Sequence, residues 1–490
     1  MAESAAARVR RRLNHPVIDA DGHWLELMPV FLEFLAEVAG PGMVDDFVAR
    51  MKTRYGHSWF AATPEERVHR RIARPGWWTY TTKHIDDRAA SMLPKLFHER
   101  LDHWGIDFAL VYPTMGLDLL RIEEEPMRRA LVRAYNVMVA EMFRPFSDRV
   151  APAGLCALNT PSEAIEEAEH AVRALNLKVL CMNCTVPRPI PADLCADTDP
   201  ARRRIYIDCL AMDSAFDYEP VWAKMTELRV AVTNHIGSMG WPDRTSPSNF
   251  VSIHLGHFAQ ANHAFARGLF MGGVLQRHPK LNFGLLEGGA GWACNLLSDL
   301  RSHWRTRNAG SVEANCRPLS LDREKLKAIM ETATRGDRRF EGKLEDILAR
   351  NLEAQRPFTS AEELTERHLG ADDFSRVSIA TEDEISTIFT RNIYIGCEAD
   401  DPMTPVAFDP RYRFGVKPIL GSDISHFDVA DAAEVLEEAW EMVEHHLVTE
   451  ADFREFTFSN AVAFHGGMNP EFFKGTIVES NAAEELAKAQ

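Results

Sequence analysis

Imidazoles and carboxylates recur in this chain at one kind of place, directly after short apolar runs. Asp21-Gly22-His23 closes the run 17–20, His235 follows 230–233 and Glu287 follows 282–286. Glu398 stands just after 392–395, and Asp423 and His426 come after 416–420. In an apolar core each of these groups would need its own partner, whereas one divalent cation stabilises several carboxylates at once. Asp21 and His23 are two apart, so an extended strand turns both to one face. With His235 and Asp423 they make two nitrogen and two oxygen ligands, a mixture that suits zinc, iron or manganese better than magnesium or calcium. The expectation is a centre of one or two ions on Asp21, His23, His235 and Asp423. Glu287 is the candidate to take or shuttle a proton, and His426 the candidate to orient substrate or nucleophile. Glu26, His257, His263 and Glu398 are candidates for a second ion or for hydrogen-bonding the ligands of the first.

The elements that must carry these residues are eight runs rich in Val, Ile and Leu: 17–20, 108–112, 150–155, 177–180, 230–233, 282–286, 392–395 and 416–420. Helical patterns separate them, readable at 162–175 and 429–445, and the alternation predicts βα units with a parallel sheet. Eight such units is the count for a (β/α)8 barrel, which places chemistry at the C-terminal ends of its strands. Counting alone leaves an open doubly wound sheet as the other arrangement. Two connections are too long for simple βα loops. They predict mainly helical insertions at about 27–105 and 300–390 within a barrel spanning 17–475, flanked by a flexible basic arm (1–16) and a tail (476–490). Trp59, Trp77, Trp78 and Tyr80 of the first insertion read as packing a lobe.

The 490 residues carry 46% apolar and 26% charged side chains, ordinary globular usage that excludes wholesale disorder. Lys plus Arg number 55 against 72 for Asp plus Glu, a formal charge of −17. That excess repels phosphate backbones, so nucleic acid is not expected as a partner. No stretch approaches the roughly 18 apolar residues of a membrane span, and eight cysteines in a chain this long do not form a disulfide scaffold. A reducing cytoplasm is the expected compartment. Cys181-Met182-Asn183-Cys184 is a lone CxxC on an apolar run, read as incidental. Gly288-Gly289-Ala290-Gly291 lacks the spacing of a dinucleotide fingerprint and reads as close backbone packing.

Four pieces then carry a family resemblance: Val17-Ile-Asp-Ala-Asp21-Gly-His23-Trp-Leu-Glu26, Glu287-Gly-Gly-Ala-Gly-Trp292, Gly421-Ser-Asp423-Ile-Ser-His426 and Ser459-Asn460-Ala461. In order and position they resemble the amidohydrolase-related family, which includes aminocarboxymuconate semialdehyde and γ-resorcylate decarboxylases. The likeness runs from Val17 to about Pro470, apart from the two insertions. It implies a distorted (β/α)8 barrel with a metal on Asp21, His23, His235 and Asp423. Glu287 stands where the decarboxylases carry a histidine, and Asp21 where the founding member has one. The reaction it implies is metal-dependent hydrolysis of a small organic acid, amide or ester. The alternatives are a dinuclear iron or manganese oxygenase, a non-oxidative decarboxylase, and a metal-bearing non-catalytic subunit. The expected partners are a small-molecule substrate and other chains, as a homo-oligomer or a hetero-oligomer with a related chain.

Overall fold

A computed structural model describes residues 3–56, 59–75, 83–191, 205–235, 246–316, 322–351, 372–426 and 429–488. Trp77, Trp78 and Tyr80 lie outside the described residues. The chain divides into two compact units, Met1–Leu297 with Ser386–Gln490, and Ser298–Ile385.

The described residues of the first unit form ten strands: β1 (Ile18–Trp24), β2 (Phe108–Pro113), β3 (Val150–Cys156), β4 (Val179–Met182), β5 (Val186–Pro189), β6 (Ile205–Asp208), β7 (Val232–Asn234), β8 (Phe283–Leu285), β9 (Ile393–Cys397) and β10 (Lys417–Leu420). Eight of them form one sheet in the order β1-β2-β3-β4-β7-β8-β9-β10, with parallel ladders between neighbours. Each of the eight apolar runs supplies one strand. Helices separate them, and the sheet curls into a nearly closed (β/α)8 barrel, settling the choice against an open sheet. Strands buried on both faces need continuous apolar runs, and β2 and β4 are buried at every position.

β1 is also buried throughout, yet it carries Asp19, Asp21 and His23. Its register against β2 slips by one residue: Asp19 pairs with Ala109 and Gly22 with Val111. Three steps on one strand thus face two on the other, which is a β-bulge. Among the described residues no ladder joins β1 to β10. Closure is made past the end of β10, where Asp423 N–H donates to Asp21 O and His23 N–H to Ile424 O, each at 3.0 Å.

The connection from β1 to β2 is mainly helical, with Met28–Ala39, Pro41–Gly56 and Pro94–Trp104 as its longest helices. The second unit contributes the helices Ala309–Cys316, Arg323–Ala333 and Leu344–Asn351. The 162–175 pattern is α-helical over Pro161–Glu169 and widens to a π turn over His170–Ala174, while helix in the 429–445 pattern begins at Val435.

Three features differ from expectation. Residues 5–12 form a helix instead of a solvated arm, because Ala6 and Val9 bury one stripe while Ser4 caps its start. Ala6 N–H donates to Ala433 O, and Arg10 pairs with Asp107. At the other end, residues expected as a tail include the helix Glu479–Lys488, which packs on Asn460–Gly466. The antiparallel β5–β6 hairpin also went unforeseen, since Pro187 and Pro189 argue against a strand in a sheet interior.

Candidate metal centre

The C-terminal ends of β1, β7, β8 and β10 bring their polar residues together. His23 Nε2 lies 2.8 Å from His235 Nε2, and Asp21 Oδ1 is 3.1 Å from the latter. Asp423 Oδ1 is 3.5 Å from His23 Nε2, and Glu287 Oε2 is 3.3 Å from His235 Nε2. The ligand atoms fall into two overlapping groups, Asp21–His23–His235 and His23–Glu287–Asp423–His426, each spanning less than 4.8 Å. Donors arranged tetrahedrally at about 2.1 Å from one ion are spaced roughly 3.4 Å apart. Within Asp21–His23–His235 the separations of 2.8–3.7 Å have the dimensions of such a shell.

His23 is held in the form a cation requires. His23 Nδ1 lies 3.1 Å from Pro113 O, an acceptor only, so Nδ1 carries the proton and the Nε2 lone pair faces the cluster. Burial pushes the His23 imidazole far below its ordinary range, and burial pushes the Asp21 carboxyl up. Both shifts are penalties on charge in a dry site, and a divalent cation would reverse the one on Asp21. His235 is fixed between Tyr112, stacked at 5.4 Å, and the edge-on ring of Phe258 at 5.5 Å.

His426 packs differently. Its ring stacks on His23, Nδ1 sits 2.5 Å from Asp423 Oδ1, and Nε2 lies 3.3 Å from Thr114 Oγ1. Its side chain is 17% exposed against 4% for Asp423, which puts it on the solvent side of the cluster. Burial, reinforced by His235 and His254, pushes its imidazole down to about 3, so it is neutral at physiological pH.

Glu287 and Asp423 both adopt left-handed backbone, φ +53° and +49°. Such conformations cost about 1–3 kcal/mol each and persist where surrounding structure imposes them, commonly at functional sites. After Glu287 the turn is held by Gly289 N–H donating to Gly396 O and Ala290 N–H to Asp401 Oδ2. This is the close packing expected of the glycine run.

The four remaining candidates belong to neither donor group. Glu26 is buried, and its carboxylate accepts from the backbone N–H of Met115 and Gly116, both at 2.9 Å, while burial pushes it up to about 7. His257 Nδ1 donates to His254 O at 3.0 Å, with its ring over Phe258. His263 is half-buried in the helix His257–Met271, and Glu398 is half-buried just beyond β9. Trp59 packs against the guanidinium of Arg67 and donates to Pro247 O. Cys181 and Cys184 are buried free thiols, both pushed up by burial.

Residues that motif reading passed over line the centre too. They are Tyr112, stacked on His235, and Thr114, which meets His426; the buried pair Asp19–Ser422 lies behind the centre at the seam between β1 and β10.

A family model described as amidohydrolase matches residues 18–314. The chain belongs to the amidohydrolase family. No curated protein matches it. Among solved structures, this amidohydrolase-family chain is similar to an amidohydrolase from Mycobacterium avium subsp. paratuberculosis K-10. That likeness has a TM-score of 0.53 and 18% identity over 93% of this chain and 100% of the other, and it shows a shared barrel. It is also similar to 2,6-dihydroxybenzoate decarboxylase from Rhizobium (TM-score 0.45, 14% identity, 92% and 98% covered). A third similar structure is 5-carboxyvanillate decarboxylase from Novosphingobium aromaticivorans with bound manganese (0.47, 13%, 92% and 97%). No helix among the described residues is long and apolar enough to cross a membrane.

Proposed function

We propose that this amidohydrolase-family chain is a metal-dependent hydrolase of a small organic acid, amide or ester. The observation that carries the reading is the donor group Asp21–His23–His235, which shares His23 with a second group holding Asp423 and Glu287. Asp21, His23, His235 and Asp423 would hold a zinc, iron or manganese ion. When bound, such an ion supplies positive charge that activates water near neutral pH and polarises a substrate carbonyl.

The protein's own groups do the rest. Glu287, adjoining His235 at 3.3 Å, accepts the proton of the attacking water and returns it to the leaving group. His426, neutral and on the open side, orients the substrate through Nε2 together with the Thr114 hydroxyl. Tyr112 and Phe258 enclose His235 and exclude water from the far side.

A second reading, a two-ion oxygenase, is favoured by the two overlapping donor groups that share His23. Metal analysis combined with product assay tests both. About one ion per chain with hydrolysis of an ester or amide panel is the expected result. Two iron or manganese ions per chain with substrate-dependent oxygen uptake would move the assignment to the oxygenase. Release of carbon dioxide from an aromatic acid would move it to a decarboxylase.

A further inference from the structure

Asp19 is fully buried, two residues before the first candidate ligand, and its carboxylate reaches across the seam between β1 and β10, where the described residues form no ladder. Oδ1 accepts from Ser422 N–H at 3.0 Å and from Asp21 N–H at 3.1 Å, and Oδ2 accepts the Ser422 hydroxyl at 2.6 Å. Ser422 Oγ in turn accepts from Ile424 N–H at 3.1 Å. The carboxylate therefore takes donors from both margins of the seam, one from the residue that is Asp21 and two from the neighbour of Asp423.

Local sequence is cut to fit this arrangement. A Cβ on Gly22 would lie 2.5 Å from Asp19 Oδ2, and one on Gly421 would lie 2.9 Å from Asp21 Cβ. Neither position accepts a side chain while the seam is closed. The bulge between Asp19 and Gly22 lets Asp19 face the seam while Asp21 and His23 face the cluster. On the other margin Asp423 and Ser425 are both left-handed, φ +49° and +88°, a turn the backbone would not hold alone.

We infer that Asp19 is a positioning residue: its carboxylate clamps β1 to the turn after β10 and so sets the spacing of Asp21, His23 and Asp423. The inference rests on the metal-centre reading of those residues for its functional meaning. The clamp itself is a property of the metal-free chain. A carboxylate in this place is a hub for three donors, and no single neutral side chain of that size accepts all three in the same way. Asparagine keeps one accepting oxygen for the two backbone N–H groups but turns a donor toward the Ser422 hydroxyl.

The test compares Asp19→Ala, Asp19→Asn and Ser422→Ala with a control, Asn136→Ala. Asn136 is equally buried and joins Leu155 of β3 to a helix, away from the seam. Manganese(II) affinity is measured by chelator competition, the manganese EPR spectrum of each loaded variant is recorded, and hydrogen exchange is followed on metal-free chains. Asp19→Ala is expected to weaken manganese binding by about 10- to 100-fold, alter the spectrum, and speed exchange at 19–24 and 420–426. Asp19→Asn and Ser422→Ala should fall between it and the wild type, and they carry the test should the alanine variant not fold. Asn136→Ala should lower the melting temperature with affinity, spectrum and seam exchange unmoved. The clamp is overturned if the Asp19 and Ser422 variants match Asn136→Ala in affinity and seam exchange. A wild-type chain that takes up no ion, while the Asp19 variants still loosen the seam, sinks the proposed function and upholds the clamp.

Discussion

His426 lies face to face with His23, ring centroids 3.8 Å apart and 26° from parallel, while its Nδ1 meets Asp423. One imidazole thus touches two candidate ligands and still presents Nε2 outward. Truncating it removes a polar contact at the mouth without removing any of the four ligands. His426→Ala should retain metal and lower kcat/KM by about 10- to 100-fold. Steady-state kinetics with metal analysis of the same preparation checks this, and unchanged kcat/KM counts against a role in orienting substrate.

Asp423→Asn isolates charge from shape. Asparagine tolerates left-handed backbone better than most residues, so the φ of +49° survives the exchange. The variant should keep its circular dichroism and its metal-free melting temperature but lose most of its bound ion and its turnover. Full metal content with full activity would refute Asp423 as a ligand.

For Glu287 the decisive variant is Glu287→Gln, which retains size and hydrogen bonding and removes the proton acceptor. If it moves the proton, kcat should drop about 10²- to 10⁴-fold with metal content maintained. Loss of metal in parallel with activity would instead make it a ligand of the ion.

His465 offers a test of pH dependence away from the centre. It is buried against Phe464 and Phe472, and burial pushes its imidazole down to about 3. Its folded-state value lies below the unfolded one, near 6.5, so between them the unfolded chain binds a proton that the folded chain does not. Stability therefore falls as pH drops through that window, by up to about 1.4 kcal/mol per unit. His465→Leu should shrink the difference in unfolding free energy between pH 7 and pH 5 by about 2 kcal/mol. Urea titrations at both values measure it, and equal differences in the two chains would contradict the burial argument.

Much of this could be read in the sequence because strand-end chemistry is local. Asp21 and His23 declare themselves by a two-residue spacing, and Glu287, Asp423 and His426 by following apolar runs directly. Partners far away in sequence left no such trace. Asp19 and Ser422 are 403 residues apart, and Glu26 is satisfied by backbone amides about 90 positions downstream. A side chain's spacing from its neighbours says nothing about donors of that kind. The helix at residues 5–12 was obscured differently: four arginines dominate its composition, while only Ala6 and Val9 reveal the face that packs. Pro187 and Pro189 hid the hairpin, since a two-stranded ribbon at an edge accepts prolines that a barrel strand would not.

The seam between β1 and β10, where the described residues form no ladder, has a thermodynamic consequence. Any cation gripped by Asp21 and His23 on one margin and Asp423 on the other would rivet the two ends of the sheet together. Occupancy and barrel closure then become a single linked equilibrium, worth about 2.7 kcal/mol when free ion stands at a hundredfold excess over its Kd. The chain's resistance to heat would consequently report how much ion its surroundings provide.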